Sequence, residues 1–490
     1  LTIINNRKNF GAKMKLLIAN IKIFIAISIV MLLYSGCDLI DPTEVENPAI
    51  TQEKLFQDAT GGAKPLITGL QYAFADAVNR STYFLEVVSD NYINASTYIS
   101  TQLDNPRLIT PNDQYLGDDR EIYFKLQTLH ALAEFGLTTV LPKDAQATDE
   151  DKAETLFYKG IAIIMLCENF QAFPLEENGQ MIRSEVAIKS AIEALNSSYN
   201  LNPTGDHAIN VKLALARAYR IDGNKAASVQ AANEALSMSP DYVFYAVYDA
   251  INLQNLTTGF LVIRPQQDMQ PLPRLDYLDP KYPTVNGDDP IPVLKMEEAH
   301  LIIAEAALSN GSINEAKTAM IDGINLVAAR PTGTFLDNDK RRNRPNDDAL
   351  AVKADANSPA VQGLVFKRSG SIVTTHPISG TSVTADYINS LNSVDDLFRV
   401  LYLLRQEIFF TEGRRMSDLG IRLPVMGRQI EANPNVNYGD YGTSVFVPNY
   451  IPQGTEMDQF TTDEAAGVVT ITYDMNKILS QHKTDVSPFF

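Results

Sequence analysis

The chain has 490 residues, a formal net charge of −18, 21 Tyr, 21 Phe, no Trp and two cysteines, Cys37 and Cys167. A surface that negative repels DNA, RNA and other polyanions at long range, which argues against nucleic-acid binding. Two cysteines in unlike settings exclude a disulfide framework, and the length allows a large core, read here as one body of helical repeats.

Residues 1–13 read as sequence upstream of the true start, because Met14-Lys15 opens an export signal. Lys15 and Lys22 supply its positive flank. Ile23 to Tyr34 is an apolar run broken only by Ser28, too short to span a bilayer comfortably, so residues 14–36 read as a cleaved signal peptide. Ser35-Gly36-Cys37 ends it as a bacterial lipoprotein signal ends, with Tyr34 where a branched aliphatic residue is usual. Cys37 is then expected to become the acylated first residue of a mature chain 37–490, and several acyl chains hold firmly where one is marginal. Asp38 to Ile50, with Glu44, Glu46 and Pro48, reads as an extended polar tether.

Lys64 to Val78 shows Leu66, Leu70, Phe74 and Val78 at four-residue spacing, an amphipathic helix that Ser81 to Val88 either extends or leaves for a new one. Residues 90–119 lose periodicity and fill with Asn, Thr, Tyr, Pro and Asp, as a surface loop does. Glu121 to Val140 is helical and stops at Leu141-Pro142. Asp151 to Phe170 and Ser184 to Tyr199 form a hairpin around the loop Gln171 to Gln180.

Val211 to Ile221 and Ala226 to Met238 form the clearest hairpin, turned by Asp222-Gly223-Asn224 and closed by Ser239-Pro240. Ala214, Ala218, Ala227, Ala231 and Ala235 let the two backbones approach, and Leu213, Tyr219, Val229 and Leu236 add bulk to the seam. The offsets of Tyr219, Gly223, Ala235 and Pro240 are those of a tetratricopeptide-type unit. Ala191-x-Glu193-Ala194-Leu195 recurs as Ala232-x-Glu234-Ala235-Leu236, an internal echo of stacked repeats.

Residues 241–292 turn aromatic and proline-rich, as a long ordered loop. Val293 to Leu308, a stop at Asn310-Gly311, and Ile313 to Ala329 restore the hairpin. The hairpins therefore lie within 64–240 and 293–330. Residues 331–392 are polar and variable, with Lys340 to Arg344 read as a solvated charged face. Residues 393–460 open on the last long helix, Ser393 to Phe410, and the tail beyond it reads mostly as coil. The expected fold is all-α, with about four helical hairpins against an irregular, loop-rich half.

No Gly-rich phosphate loop, His-Glu-x-x-His or paired-cysteine spacing occurs. Asp337-Asn338-Asp339 lacks the glycine and the bidentate glutamate of a calcium loop. The sequence names no catalytic residue, no metal and no cofactor, and paired carboxylates carry little weight in so acidic a chain.

Several of these stretches together resemble the SusD/RagB group of Bacteroidetes outer-membrane lipoproteins. They are Cys37-Asp38-Leu39, the helix Leu294 to Ala306, the Asn310-Gly311 turn, Ile324-Asn325, Arg405-Gln406-Glu407-Ile408-Phe409-Phe410-Thr411-Glu412-Gly413-Arg414-Arg415-Met416-Ser417-Asp418-Leu419, and Ile451-Pro452-x-x-Thr455-Glu456. The resemblance implies a surface-exposed outer-membrane lipoprotein that binds a glycan or other oligomer and hands it to a SusC-like TonB-dependent transporter without chemistry. It also implies four tetratricopeptide-like units packed against a ligand-binding half. In the long signature, Leu401, Leu404, Ile408 and Phe409 read as one buried stripe and Gly413 as a sharp helix end. Arg405, Glu407, Glu412, Arg414 and Asp418 are expected to enter an ion-pair network.

Sugars stack on aromatic rings and exchange hydrogen bonds with amides and carboxylates. Asp90, Asn91 and Tyr92 through Tyr98 have that mixture, as do Asp276, Tyr277 and Tyr282, and the resembling group takes its ligand contacts from comparable loops. Without Trp, the site is built on Tyr and Phe or suits a peptide instead. The alternatives are a scaffolding or assembly lipoprotein that holds protein partners in the repeat groove, and a hydrolase.

Overall fold

Among the described residues, four antiparallel helix pairs follow one another along the chain. The structure, a computed structural model, describes residues 61–94, 103–113, 122–259, 269–337, 350–366, 370–453 and 457–483. The expected signal segment, Cys37, the tether, Tyr98 and Lys340 to Arg344 lie outside the described residues. The chain divides into a unit Leu1–Ala59 and a unit Thr60–Phe490, and the described residues belong to the second.

Helix α1 (Ala63–Val88) is continuous, so Ser81 to Val88 extends the first helix. Its first half buries Ala63, Leu66, Leu70 and Phe74 at helical spacing, whereas its end is buried nearly all round. It packs on α2 (Ile122–Phe135), which runs on through a π turn, Gly136–Val140. Helix α3 (Asp149–Asn169) starts two residues earlier than its apolar pattern indicates. The Thr148 hydroxyl accepts from the Asp151 amide at 3.1 Å and the Asp151 carboxylate accepts from the Thr148 amide at 2.9 Å, a reciprocal cap worth about 1 kcal/mol. It pairs with α4 (Ser184–Leu201) at close range, because a Cβ on Gly160 would lie 2.6 Å from Cγ of Leu195.

Helices α5 (Gly205–Ile221) and α6 (Lys225–Met238) form the third pair. Gly223 takes φ 74° at the turn, and Ala214, Ala218, Ala231 and Ala235 are buried in the seam; of the expected bulky residues only Leu213 is fully buried. Helices α7 (Met296–Ser309) and α8 (Ile313–Ala329) form the fourth, turned at Gly311. Successive pairs also pack on each other, α2 on α3, α4 on α5 and α6 on α7, which makes a stacked scaffold of tetratricopeptide-like hairpins.

The irregular half contains more order than its sequence suggests. Strand β1 (Tyr92–Asn94) lies antiparallel to β5 (Met269–Pro271), and β2 (Ala172–Phe173) to β3 (Ile182–Arg183). β4 (Val243–Ala246) pairs with β6 (Ile291–Lys295), which feeds directly into α7. The expected polar stretch 331–392 includes β7 (Gly333–Asp337), β8 (Ala351–Lys353), β9 (Ala360–Val361), β10 (Ser371–Thr375) and helix α9 (Ala385–Ser390). The expected coil tail holds β11 (Phe460–Asp463) and β12 (Val468–Ile471), which join β8 and β9 in one sheet. The expected helical class holds, with strands of only two to five residues pairing at the edges.

Helix α10 (Val394–Ile408), N-capped by Ser393, carries the signature; Leu401, Leu404, Ile408 and Phe409 are all buried. Each such side chain contributes roughly 1.5–3 kcal/mol. Short helices α11 (Arg415–Asp418), α12 (Gly427–Ala432) and α13 (Met475–Gln481) follow, the last packed on α10.

Candidate functional site

Six of the sequence-nominated sugar contacts, all but Tyr98, are described, and all six are buried. Asp90 receives Arg415 at 2.5 and 2.9 Å and Gln406 at 3.0 Å. Asn91 donates to Glu86 at 2.7 Å and accepts from Gln406 at 3.1 Å. The Tyr92 ring stacks on Phe410 with centroids 5.2 Å apart and planes 8° apart, and its hydroxyl donates to Asp279 at 3.0 Å. Asp276 accepts from the Phe366 amide at 2.8 Å, and the Tyr282 hydroxyl donates to the Thr411 carbonyl at 3.0 Å. Burial, then the Glu407 carboxylate, pushes the Tyr277 phenol upward. A ring face already covered by Phe410 cannot also carry a sugar, so a ligand reaching these six residues has to open packed contacts first.

The same residues brace a buried web of charge around the signature. Arg405 pairs with Asp418 through two 2.9 Å bonds, Arg414 with Glu298 at 2.6 and 3.2 Å, and Arg415 with Asp90. Arg217 binds Glu168, and Arg220 binds Glu305 at 2.6 Å. Glu412 accepts from Lys281 at 2.6 Å and Lys295 at 2.5 Å. Glu407, expected among the ion pairs, instead accepts from the hydroxyls of Thr381 and Ser382, each at 2.6 Å. Gly413 adopts φ 69°, where a Cβ would approach Cα of Thr82 to 3.1 Å, and its amide donates to Glu86 at 2.8 Å.

Burial sets the electrostatics of this web. Burial alone raises Glu298, but Arg414 and Arg217 outweigh it and hold the carboxyl at about 2. Glu86 meets weaker opposition. Burial pushes it up to about 7 against hydrogen bonds from Asn91, Gly413 and Thr411 and the charge of Lys281. Lys281 is pushed down by burial to about 8, with Glu412 opposing the shift. The first helices of all four hairpins take part, Glu86 on α1, Glu168 on α3, Arg217 and Arg220 on α5, Glu298 and Glu305 on α7. Glu168, Glu298 and Glu305 therefore already hold the chain's own arginines.

An open cleft of about 690 Å³ lies elsewhere, between α2, the connection from β2 to β3, and α12. Helix α2 presents Gln127, His130 and Glu134 at i, i+3 and i+7, one polar stripe along the helix. Gln127 donates to the Pro174 carbonyl at 2.9 Å and so ties the helix to the opposite wall. Burial pushes His130 down to about 4, with Glu134 opposing, so the imidazole is neutral near pH 7. Asn178 holds φ 57° at the rim, its carbonyl accepting from Asn435 at 2.7 Å, while Asn433 donates to the Gly179 carbonyl at 2.8 Å. Gln429 also lines the space. None of the six described nominated residues does. Among the described residues, no group of three or more His, Cys, Asp or Glu is placed to hold a metal ion.

No protein-family model matches the sequence, and no curated protein matches it. Solved structures do. One from Bacteroides vulgatus, whose name marks it for sugar binding, shares 16% identity over 77% of this chain and 98% of its own, with a TM-score of 0.51. A SusD superfamily protein from Parabacteroides distasonis shares 11% identity over 76% of this chain and 98% of its own, with a TM-score of 0.51. Another from Bacteroides vulgatus shares 13% over 76% and 97%, with a TM-score of 0.50. Identities this low speak for architecture, and the architecture of hairpin scaffold, irregular half and buried signature is the fold of SusD superfamily proteins.

Proposed function

We propose that the chain is a SusD/RagB-type outer-membrane lipoprotein that binds a glycan or other oligomeric nutrient and passes it unaltered to a SusC-like TonB-dependent transporter. The supporting observation is an open, amide-rich cleft of about 690 Å³ on the SusD fold, a volume typical of small-ligand sites. Amide and carboxylate groups suit sugar hydroxyls. The structural neighbour named for sugar binding agrees with this, and Cys37 after its apolar run supplies the anchor to the outer face of the outer membrane. Cys37 would hold the protein beside the transporter. Among the described residues no helix is long and apolar enough to cross a membrane.

The scaffolding alternative needs an accessible repeat groove, whereas Glu168, Glu298 and Glu305 are bound to Arg217, Arg414 and Arg220. Tyr98 and the neighbouring loop belong to the proposal as a further ligand contact. Isothermal titration against a panel of oligosaccharides and peptides tests the reading. Heat of binding for a saccharide supports it, and no binding across the panel sinks it. Chromatography of the bound oligomer must return it intact, because release of shorter products points to a hydrolase.

A further inference from the structure

Residues 438–446 place three exposed rings in nine positions, Tyr438, Tyr441 and Phe446, at 52%, 42% and 44% exposure. Rings so exposed on a loose loop mean little, but this loop is tied down throughout. The Asn437 amide donates to Asp440 at 2.7 Å, the Gly439 amide to the Thr443 hydroxyl at 3.0 Å, and the Val425 amide to the Gly442 carbonyl at 3.0 Å. Phe446 exchanges backbone bonds of 2.8 and 2.9 Å with Arg422. At Gly442, φ is 90° and a Cβ would lie 3.0 Å from the Ala172 carbonyl oxygen, so the loop is seated against β2. The Arg183 guanidinium stacks 3.9 Å from the centroid of Tyr441.

Tyr441 and Phe446 border a second cavity of about 240 Å³, with Gln171, Ser184, Glu185 and Arg422. Tyr438 points the other way along the chain, its hydroxyl 3.3 Å from Glu431 on α12, the helix that also lines the first cleft. The two concavities flank one hairpin. The 690 Å³ cleft takes the Pro174 to Asn178 side, and the smaller cavity takes Gln171 and Ser184. The smaller space lies below the usual range for a whole ligand and fits one ring-sized group.

We infer that the Tyr438–Phe446 loop is an aromatic platform that extends the first cleft, so that a neutral or amino-bearing oligosaccharide is held at both concavities at once. This rests on the glycan-binding reading above. Charge selects the ligand class: Glu134 is paired with Lys159, but Glu176 and Glu177 also line the larger cleft, no Lys or Arg is among its described lining residues, and the chain as a whole is at −18. Uronate or sulfated chains are repelled there. Rings fixed by their backbone lose little entropy on stacking with a sugar, which makes a rigid platform more effective than a flexible one.

The test titrates the full-length protein with short and long members of neutral xylo-, manno-, cello- and malto-oligosaccharides, with oligogalacturonate as the anionic control and a peptide library beside them. The expected result is affinity that rises with chain length for a neutral series. Tyr441→Ala and Phe446→Ala should each weaken the long members about tenfold and leave the short ones unchanged, while Tyr441→Phe retains wild-type binding. Should Tyr441→Ala unfold, Phe446→Ala alone carries the comparison. Saccharide binding without length dependence, or indifferent to both rings, overturns this inference and leaves the broader reading standing. So does preference for oligogalacturonate. Peptide binding that needs Tyr441, with no saccharide bound, overturns both.

Discussion

Arg414 donates to both carboxylate oxygens of Glu298, a partner 116 residues earlier in the chain and on the first helix of the fourth hairpin. Both side chains are buried, and Arg414 also lies 3.6 Å from Glu168. Removing one member leaves a desolvated charge without its counterion, which costs about 3–5 kcal/mol. Arg414→Ala is therefore expected to lower the stability by that amount in urea unfolding, while the double variant Arg414→Met with Glu298→Met recovers most of it. Equal losses in the single and double variants would contradict the pairing.

Acid should weaken the protein in a defined window. Glu297 and Glu298 are held at about 2, so their contribution is fully present above the ordinary carboxyl value near 4.5 and is lost as pH falls toward 2. Glu86 acts in the opposite sense. Its folded-state value of about 7 lies above the ordinary 4.5, so the folded protein binds the extra proton and stability declines as pH rises between those values. The decline amounts to about 3 kcal/mol by the usual conversion. Urea midpoints across pH should show it in the wild type, and Glu86→Gln should flatten it.

Ligand binding should ignore that window. His130, the titratable imidazole of the larger cleft, is displaced to about 4 and stays neutral from about pH 5.5 to about 7.5. Titration calorimetry over that range should return one affinity. A tenfold change centred near pH 6.5 would mean that the imidazole is solvated and not held as described.

Gln429 and Tyr98 separate binding from folding. Gln429 lines the cleft and is half-buried, so Gln429→Ala should weaken saccharide binding about fivefold to tenfold and shift stability by no more than about 0.5 kcal/mol. Tyr98→Ala should also weaken binding if the nominated loop touches ligand. Unchanged affinity in both variants would remove these two contacts from the proposed site.

Anchoring has its own measurement. Cys37→Ser should move the protein from the membrane fraction to the soluble fraction, since the acyl chains are the proposed attachment. Retention of the variant in washed membranes would point to attachment by something else.

The hairpins are legible in the sequence because alanines at Ala214, Ala218, Ala231 and Ala235 and turns at Gly223 and Gly311 are local signals that tertiary context does not override. Strands such as Ala360–Val361 are too short to display alternation, so residues 331–392 read as loop. The signature charges are visible, but spacing carries no information about which of them meets Glu298 or Asp90. Composition is silent on burial for a similar reason. Asp90-Asn91-Tyr92 has the residues of a sugar loop whether Tyr92 is open to solvent or stacked on Phe410. Gln127, His130 and Glu134 formed a polar stripe on α2 that a search for apolar spacing passes over.

Asp90 stands just after the first helix, and the guanidinium that neutralises it arrives 325 residues later. A ribosome therefore releases the first helix long before this counter-charge exists, and the end of that helix closes only when the carboxy-terminal segment arrives.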